Sequence, residues 1–341
     1  MKQTAVVILN YNGAGMLRRF LPSVIEYSHE ASIYVADNGS SDESCDVVRN
    51  EFPAVKLMVL DHNYGFAEGY NRALAQVDEE YAVLLNSDVE VTRGWLSPMT
   101  QFLDSNPEVA ACQPKLLSFK QKDFFEYAGA AGGFIDKWGY TFCRGRIFNT
   151  VERDSGQYDD TTDVFWATGA ALMIRNEVYK NNGGLDGRFF AHMEEIDLCW
   201  RLRSRGRGIV CIPQSVVYHV GGATLKKENP RKTFLNFRNN LVMLYKNLPQ
   251  EELNKVMRIR TCLDYVAALT FFLKGDWDNA RAVIRARDEY KRICPSFSSL
   301  REENLRKKTL NLIPEQIKSS ILWQFYARGC KRFSQLSDLK E

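Results

Sequence analysis

The sequence lacks the patterns that mark membrane-spanning, zinc-binding and disulfide-stapled proteins. None of its apolar runs approaches the ~18 residues that cross a bilayer; the longest candidate is 265–273. Its eight cysteines are scattered singly, without a CxxC or CxxxC pair, which favours a reducing compartment. A polar start, Met1-Lys-Gln-Thr4, runs at once into a strand-like segment, so we expect no signal peptide. These absences predict a cytoplasmic protein.

The usual phosphate-binding loops are also missing. There is no GxxxxGK[ST] motif, which argues against a P-loop NTPase. No GxGxxG follows the first strand-like run, which argues against a dinucleotide-dependent dehydrogenase. A phosphorylated ligand would therefore need another counterion, such as a bound cation.

Charge is distributed unevenly along the chain. Residues 231–341 contain 22 Lys and Arg against 12 Asp and Glu, a net charge of +10. Residues 1–230 contain 23 against 30, a net charge of −7. This asymmetry suggests that the acidic residues 1–230 carry out catalysis and that the basic residues 231–341 contact an anionic partner.

Strand-like runs alternate with helix-like segments through the first 90 residues. Apolar runs at 4–9, 33–36, 55–60 and 82–85 are separated by amphipathic segments. Such alternation is typical of a parallel, doubly wound α/β sheet, whose strand ends meet at one edge. Polar residues follow each strand, and we expect them to form a single site; they are Asn12, Asp37, Asn63 to Gly65, and Asp88.

The fourth run leads into Asn86-Ser87-Asp88, which places an amide and a carboxylate two residues apart. Residues i and i+2 point the same way along a strand, so both side chains are presented at its end. This pattern fits either a polar turn that ends a core strand or a site for a hard divalent cation carrying a phosphorylated ligand. Asp37 likewise fits either a helix-capping turn or an acceptor for hydrogen bonds from a nucleobase or ribose.

A cluster of three carboxylates lies at Glu194, Glu195 and Asp197, before a helix expected to begin near Ile196. Acidic residues at a helix N-terminus suit its macrodipole, which gives the cluster a structural interpretation. The functional interpretation is that one carboxylate is a general base for an acceptor hydroxyl, because crowding raises carboxyl pKa values toward neutrality. The sequence leaves open which of the three would serve.

Trp166 and His219 each have two interpretations. Trp166 stands at a strand–turn junction, where it is either part of the core or a platform on which a sugar ring stacks. His219 follows a β-run, where it is either a structural polar residue or a second ligand of a metal–phosphate site. The irregular stretch 124–156 is rich in Gly and aromatic residues, and we interpret it as part of an acceptor-binding surface.

Taken together, residues 4–225 resemble the inverting family 2 glycosyltransferases of GT-A fold, in particular rhamnosyltransferase- and galactofuranosyltransferase-like members. The resemblance implies a nucleotide-diphosphate sugar donor, a divalent cation (Mg²⁺ or Mn²⁺), and displacement at the anomeric carbon with inversion. The matching segments are Ile8-Leu-Asn10-Tyr-Asn12, Val35-Ala-Asp37-Asn-Gly-Ser40, Asn63-Tyr-Gly65-Phe66 with Asn71, Leu85-Asn86-Ser-Asp88, Trp166-Ala-Thr-Gly169, Glu194-Glu195-Ile-Asp197-Leu198 and His219-Val-Gly-Gly222.

Roles implied by the resemblance follow the matching positions. The donor would be bound by Asn10, Asn12, Asp37, Asn63, Gly65, Asn71, Asn86 and Trp166. Asp88 and His219 would hold the metal, and Glu195 would be the base, with Glu194 or Asp197 as substitutes. The sequence departs from the family pattern at Asn86, where the family's DxD motif begins with Asp, and at Glu195, where the family often has Asp.

The composition changes after Pro230. We expect a GT-A-type domain with a doubly wound mixed sheet over 1–225 and a basic helical extension over 226–341. The extension either covers the edge of the sheet or docks on anionic lipid at the inner membrane surface, near a saccharide or lipid-linked acceptor. We expect no nucleic-acid partner.

Two other functions are weighed against sugar transfer in cell-surface polysaccharide synthesis. A nucleotidyltransferase would want a Gly-rich basic loop where this chain has Asn10-Tyr-Asn-Gly13. A non-catalytic sugar-nucleotide-binding module would leave the carboxylate cluster without a role.

Overall fold

A computed structural model describes residues 3–221 and 229–336. Gly222 and the expected domain boundary at residue 225 lie outside these ranges, and that boundary remains a prediction. The strands in the described residues are β1 (Thr4–Asn10), β2 (Ala31–Asp37), β3 (Lys56–Val59), β4 (Tyr81–Asn86), β5 (Val89–Val91), β6 (Val109–Ser118), β7 (Gly133–Asp136), β8 (Thr141–Cys143), β9 (Arg146–Ile147), β10 (Thr150–Val151), β11 (Thr162–Asp163), β12 (Ala171–Arg175), β13 (Gly208–His219) and β14 (Gln316–Ile317). The α-helices are α1 (Ala14–Tyr27), α2 (Ser44–Glu51), α3 (Gly65–Leu74), α4 (Ser97–Ser105), α5 (Asn176–Asn181), α6 (Glu194–Ser204), α7 (Pro230–Asn247), α8 (Gln250–Leu273), α9 (Trp277–Ile293) and α10 (Ser298–Lys307).

The main sheet has the order β11-β13-β6-β12-β4-β1-β2-β3, and β5 pairs with β13. Strands β3, β2, β1 and β4 are parallel, as the alternation of strands and helices predicts. Strand β12 runs antiparallel to both β4 and β6, whereas β13 runs parallel to β6. The sheet is therefore mixed, and the expected α/β class is confirmed.

The central strands are buried on both faces, which explains their continuous apolar runs. In β1, Val6 packs into one hydrophobic core and Val7 into the other, on opposite sides of the sheet. In β4, Val83 and Leu84 divide in the same way. Burying each such side chain stabilises the fold by roughly 1.5–3 kcal/mol, so this region is held firmly enough to support a site at its edge.

The stretch 124–156 is more regular than the sequence suggests. It contains β7 to β10, which form a small antiparallel sheet in the order β10-β9-β8-β7, and β14 adds to β7 in parallel. Its strands are two to four residues long, too short for a visible period-two pattern. Because β14 comes from the C-terminal region, that region is built into the fold.

The C-terminal region contains helices α7 to α10, in agreement with the expected helical character of the extension. Helix α9 packs between α7 and α8, and α7 reaches the carboxylate cluster through Lys246 and Asn247. In the described ranges, every helix is either too short or too polar to cross a bilayer.

Candidate active site

The ends of β1 and β2 lie side by side and bring Asn10 next to Asp37. Nδ2 of Asn10 donates to Oδ1 of Asp37 at 3.0 Å, and the hydroxyl and backbone N–H of Ser40 also donate to this carboxylate, at 2.6 and 2.9 Å. Asp37 is buried, so these three donors compensate its charge. Oδ1 of Asn10 is buried and has no hydrogen-bond partner among the described residues.

Asn12 connects the two strand-end loops. Its backbone has a positive φ of 49°, and its N–H donates to the hydroxyl of Ser40 at 2.8 Å. Its side-chain oxygen accepts the backbone N–H groups of Ser41 and Asp42, at 2.8 and 3.3 Å. Asn12 therefore fixes the loop after β2 against the loop after β1.

The third strand-end loop is shaped by Asn63, Gly65 and Asn38, a residue that the sequence analysis passed over. Oδ1 of Asn63 accepts from the N–H of Gly65 at 2.8 Å and from Nδ2 of Asn38 at 3.1 Å. Gly65 has φ +77°, and a Cβ there would lie 2.6 Å from the ring of Phe190. Only glycine fits both the backbone conformation and the contact.

Asn71 and Trp166 have structural partners. Nδ2 of Asn71 donates to the carbonyl of Leu185 at 2.7 Å, and its oxygen accepts the hydroxyl of Tyr179 at 2.6 Å. Trp166 is buried, and its indole N–H donates to the carbonyl of Phe134 at 3.0 Å. These contacts favour the core interpretation of Trp166 and a scaffolding role for Asn71 over direct binding of a donor.

The predicted metal ligands Asp88 and His219 meet, although 131 positions separate them. Strand β5 pairs antiparallel with the end of β13, which sets His219 opposite Val89. Nε2 of His219 lies 3.0 Å from Oδ1 of Asp88 and 3.4 Å from Nδ2 of Asn86. An imidazole, a carboxylate and an amide thus converge beyond the end of β4.

Glu126 completes this group, and the sequence analysis missed it. Oε1 of Glu126 lies 3.4 Å from Nδ1 of His219, whereas Asp88 contacts the other ring nitrogen. Burial disfavours charge on His219, but Glu126 and Asp88 outweigh burial and raise its pKa to about 10. A single Glu in an irregular stretch carries no pattern, so nothing in the sequence singles it out.

The donor set suits a divalent cation whose shell is completed by another ligand. Asp88 offers a carboxylate oxygen, and His219 would offer an imidazole nitrogen once a cation displaces its proton; both groups bind Mn²⁺-like ions. Over 3–221 and 229–336, no group of three or more His, Cys, Asp and Glu side chains is arranged to hold a metal. The protein would therefore supply few ligands and leave positions for the oxygens of a diphosphate.

The members of the carboxylate cluster differ in their surroundings. Helix α6 begins at Glu194, two residues earlier than expected. Asp197 is completely buried and accepts from Lys246 at 2.7 Å, Asn247 at 2.9 Å and Arg201 at 3.0 Å. These three donors occupy both oxygens of Asp197, which favours a structural role for this residue.

Glu195 has the properties expected of a base. Burial raises its pKa to about 7, although the backbone N–H groups of Glu195, Ile196 and Gly169 oppose the rise. Its Oε2 has no partner among the described residues. Glu194 is more deeply buried, and burial together with the adjacent Glu195 raises its pKa well above the ordinary value. Of the pair, Glu195 is the more exposed, which favours it for proton transfer with a substrate.

The sequence profile of glycosyl transferase family 2 matches residues 5–182, more than half of the chain. The chain belongs to glycosyl transferase family 2. It is 27% identical to the N-acetylglucosaminyl-diphospho-decaprenol L-rhamnosyltransferase of Mycobacterium tuberculosis, over 63% of this chain and 75% of that protein. It is also 25% identical to the rhamnosyltransferase WbbL of Escherichia coli, over 46% of this chain and 61% of that protein. This glycosyltransferase thus has rhamnosyltransferase-like relatives.

Solved structures place this family 2 enzyme in the GT-A fold. GalNAc-T7 with UDP, GalNAc and Mn²⁺ superposes with a TM-score of 0.62 at 14% identity, covering 95% of this chain and 56% of that one. Residues 1–349 of TarS from S. aureus, in complex with UDP-GlcNAc, superpose with a TM-score of 0.56 at 14% identity, covering 89% of each chain. At this identity the likeness shows the fold alone.

Proposed function

We propose that this glycosyltransferase moves a hexose, such as rhamnose, from a nucleotide-diphosphate sugar to a hydroxyl of a saccharide or lipid-linked acceptor, with inversion and with the help of a divalent cation. The observation that carries the proposal is the convergence of Asp88 and His219 at the edge of the sheet, with Nε2 3.0 Å from Oδ1. The names of the relatives support a role in cell-surface polysaccharide synthesis.

The residues of the site divide the reaction between them. The loops that contain Asn10, Asp37 and Asn63 would surround the nucleotide. A cation held by Asp88 and His219 would stabilise the negative charge that develops on the leaving diphosphate. Glu195 would take the proton of the acceptor hydroxyl while the hydroxyl oxygen attacks the anomeric carbon.

The proposal is tested by measuring binding of nucleotide sugars by calorimetry, with Mn²⁺, with Mg²⁺ and with a chelator. The native protein should bind one of them in a cation-dependent way, and Asp88→Ala should lose the cation dependence. Asp288→Ala, which removes an exposed carboxylate from α9, is the matched control. The assignment of the cation would be refuted if Asp88→Ala, or the native protein in the chelator, bound the nucleotide sugar as tightly as the native protein with Mn²⁺ or Mg²⁺.

We also propose that α8 docks on the anionic inner surface of the membrane, where a lipid-linked acceptor would reside. From Ile259 to Leu273, none of the exposed side chains of this helix is charged. The exposed apolar residues of this face, with the adjoining tryptophan, are Tyr265, Val266, Leu269, Phe272, Leu273 and Trp277. Contiguous apolar surface of this kind marks interaction sites, Trp and Tyr favour the interface, and Lys274 follows the patch directly.

Docking of α8 on a membrane is tested with point variants and not with a truncated chain. Deleting residues 231–341 would remove α7, which contacts the carboxylate cluster, so point variants in the intact chain are needed. Leu273→Ser with Trp277→Ser should release the protein from vesicles that contain anionic lipid. Leu312→Ser is the control, since Leu312 is 61% exposed but lies outside the patch. Equal binding of all three proteins to the vesicles would overturn the proposal.

A further inference from the structure

The loop before the carboxylate cluster has an uncommon backbone. Phe190, His192 and Met193 have positive φ angles of 67°, 72° and 73°, a region that side chains other than glycine rarely adopt. Met193 caps α6, because its carbonyl accepts the N–H of Asp197 at 2.9 Å. Glu194 and Glu195 follow at once, so their positions depend on this strained segment. Strained backbone persists only where surrounding contacts hold it.

Those contacts come from the C-terminal region, through Asn239 of α7. Asn239 is buried, and its Nδ2 lies 3.0, 2.9 and 2.7 Å from the carbonyl oxygens of Phe189, Ala191 and His192. One amide group thus binds three carbonyls of a four-residue stretch. Nε of Arg238 donates to Oδ1 of Asn239 at 2.8 Å, which orients the amide so that its nitrogen faces the loop.

Arg238 strengthens the same contact. Its Nη2 donates to the carbonyls of Phe189 at 3.0 Å and Arg188 at 3.3 Å. Segment 188–193 therefore receives donors from two consecutive residues of one helix.

The other side of the segment touches the loop expected to bind the donor. The carbonyl of Phe190 accepts the N–H groups of Phe66 and Ala67, at 2.7 and 3.3 Å. The ring of Phe190 also occupies the space that a Cβ on Gly65 would need. Segment 188–193 thus spans the distance between the start of α3 and the carboxylates of α6.

We infer that Asn239 is a positioning residue for catalysis: by holding 188–193, it sets Glu195 relative to the donor site. The C-terminal helices are then part of the catalytic apparatus and not only a cover for the sheet. This inference rests on the proposed role of Glu195 as the base. A base must be placed within hydrogen-bond reach of its proton, and a displacement of about 1 Å can reduce the rate ~100-fold.

The test is Asn239→Asp in the intact chain, because the side chain keeps its shape but no longer donates. We expect kcat to fall about 100-fold while the KM for the donor stays nearly constant, because Asn38 and Asn63 still hold the donor loop. Asn254→Asp, on the exposed face of α8, is the matched control. Circular dichroism measures the folded fraction of each protein, and an unchanged kcat of folded Asn239→Asp would overturn the inference.

If Asn239→Asp fails to fold, the inference is tested with Arg238→Gln. Arg238 is only partly buried, so we expect its replacement to disturb folding less. It should lower kcat about tenfold with an unchanged KM for the donor, and an unaltered kcat would overturn the inference. Glu195→Gln, assayed in parallel, separates the two proposals. An active Glu195→Gln would refute the base assignment, whereas an inactive Glu195→Gln beside a fully active Asn239→Asp would refute only the positioning role.

Discussion

Replacing Glu195 by Gln should remove activity and stabilise the fold at alkaline pH. The pKa of Glu195 is about 7 instead of the ordinary 4.5 because the side chain is buried. Each pH unit between these values is worth ~1.4 kcal/mol, so ionised Glu195 costs the folded state about 3 kcal/mol relative to the unfolded chain. A general base typically contributes about 10²–10⁴-fold to the rate, and we expect a loss in that range.

The sign of the pH effect follows from the direction of the pKa change. Folding raises the pKa of Glu195, so the contribution of this residue to the free energy of unfolding is fully present below pH ~4.5. That contribution is lost as the pH rises toward ~7. The glutamine of the Glu195→Gln variant cannot ionise, so it avoids this loss. Its NH₂ group needs a partner, which costs about 1 kcal/mol or more. Removing the charge also eases ionisation of Glu194. We expect a net gain of ~1–2 kcal/mol at pH 8.

Urea unfolding of both proteins at pH 5 and pH 8 measures this difference. The advantage of Glu195→Gln should appear at pH 8 and largely vanish at pH 5. Asp197→Asn is the matched control in the same helix. It breaks buried ion pairs with Lys246 and Arg201, so it should destabilise the protein by about 3–5 kcal/mol. The reasoning would be refuted if Glu195→Gln were less stable than the native protein at pH 8. It would also be refuted if the variant were more stable than the native protein by the same amount at pH 5 and pH 8.

Three further predictions concern the same site. The value of kcat/KM should rise with pH through about 7, because Glu195 must be ionised to accept a proton; a rise centred near pH 4.5 in the pH–rate profile would contradict this. Glu126→Gln should weaken Mn²⁺ binding about tenfold through loss of the carboxylate that orients His219, measured by electron paramagnetic resonance of free Mn²⁺, and unchanged affinity would exclude that role. Gly65→Ala should raise the KM for the donor and lower the melting temperature, because its Cβ collides with Phe190. Gly94→Ala is the control for Gly65→Ala, since Gly94 has φ +73° with no atom within 4 Å of the added Cβ; equal effects of the two would refute the collision.

The parts of the fold that could be predicted are those encoded by neighbouring residues. The runs of β1 and β4 are continuous because both faces of these strands are buried, and buried strands read as apolar runs. Polar residues at the ends of such strands, for example Asp37 of β2 and Asp88 after β4, could then be placed at one edge from the topology alone. For His219 the sequence left two interpretations open, because only the pairing of β13 with β5 brings this residue to Asp88.

The remaining features depend on contacts between distant residues. The sequence could not show which carboxylate of the cluster is structural and which is the candidate base. Two of the partners of Asp197, Lys246 and Asn247, lie 49 and 50 positions away. Glu126 was missed for the same reason. Trp166 had two interpretations, and the choice depends on Phe134, whose carbonyl accepts its indole N–H across the fold.

The two proposed roles of the C-terminal region are compatible because different helices serve them. Helix α7 faces inward and holds the loop before Glu195, whereas the uncharged face of α8 points outward. A buried hydrogen bond links the two helices, since Arg260 of α8 donates to Oδ1 of Asn240, the residue after Asn239. Asp264 of α8 in turn accepts Arg287 of α9 at 2.5 Å in a buried ion pair. A membrane bound by α8 would therefore orient the catalytic site directly, without a flexible linker between the docking surface and the base.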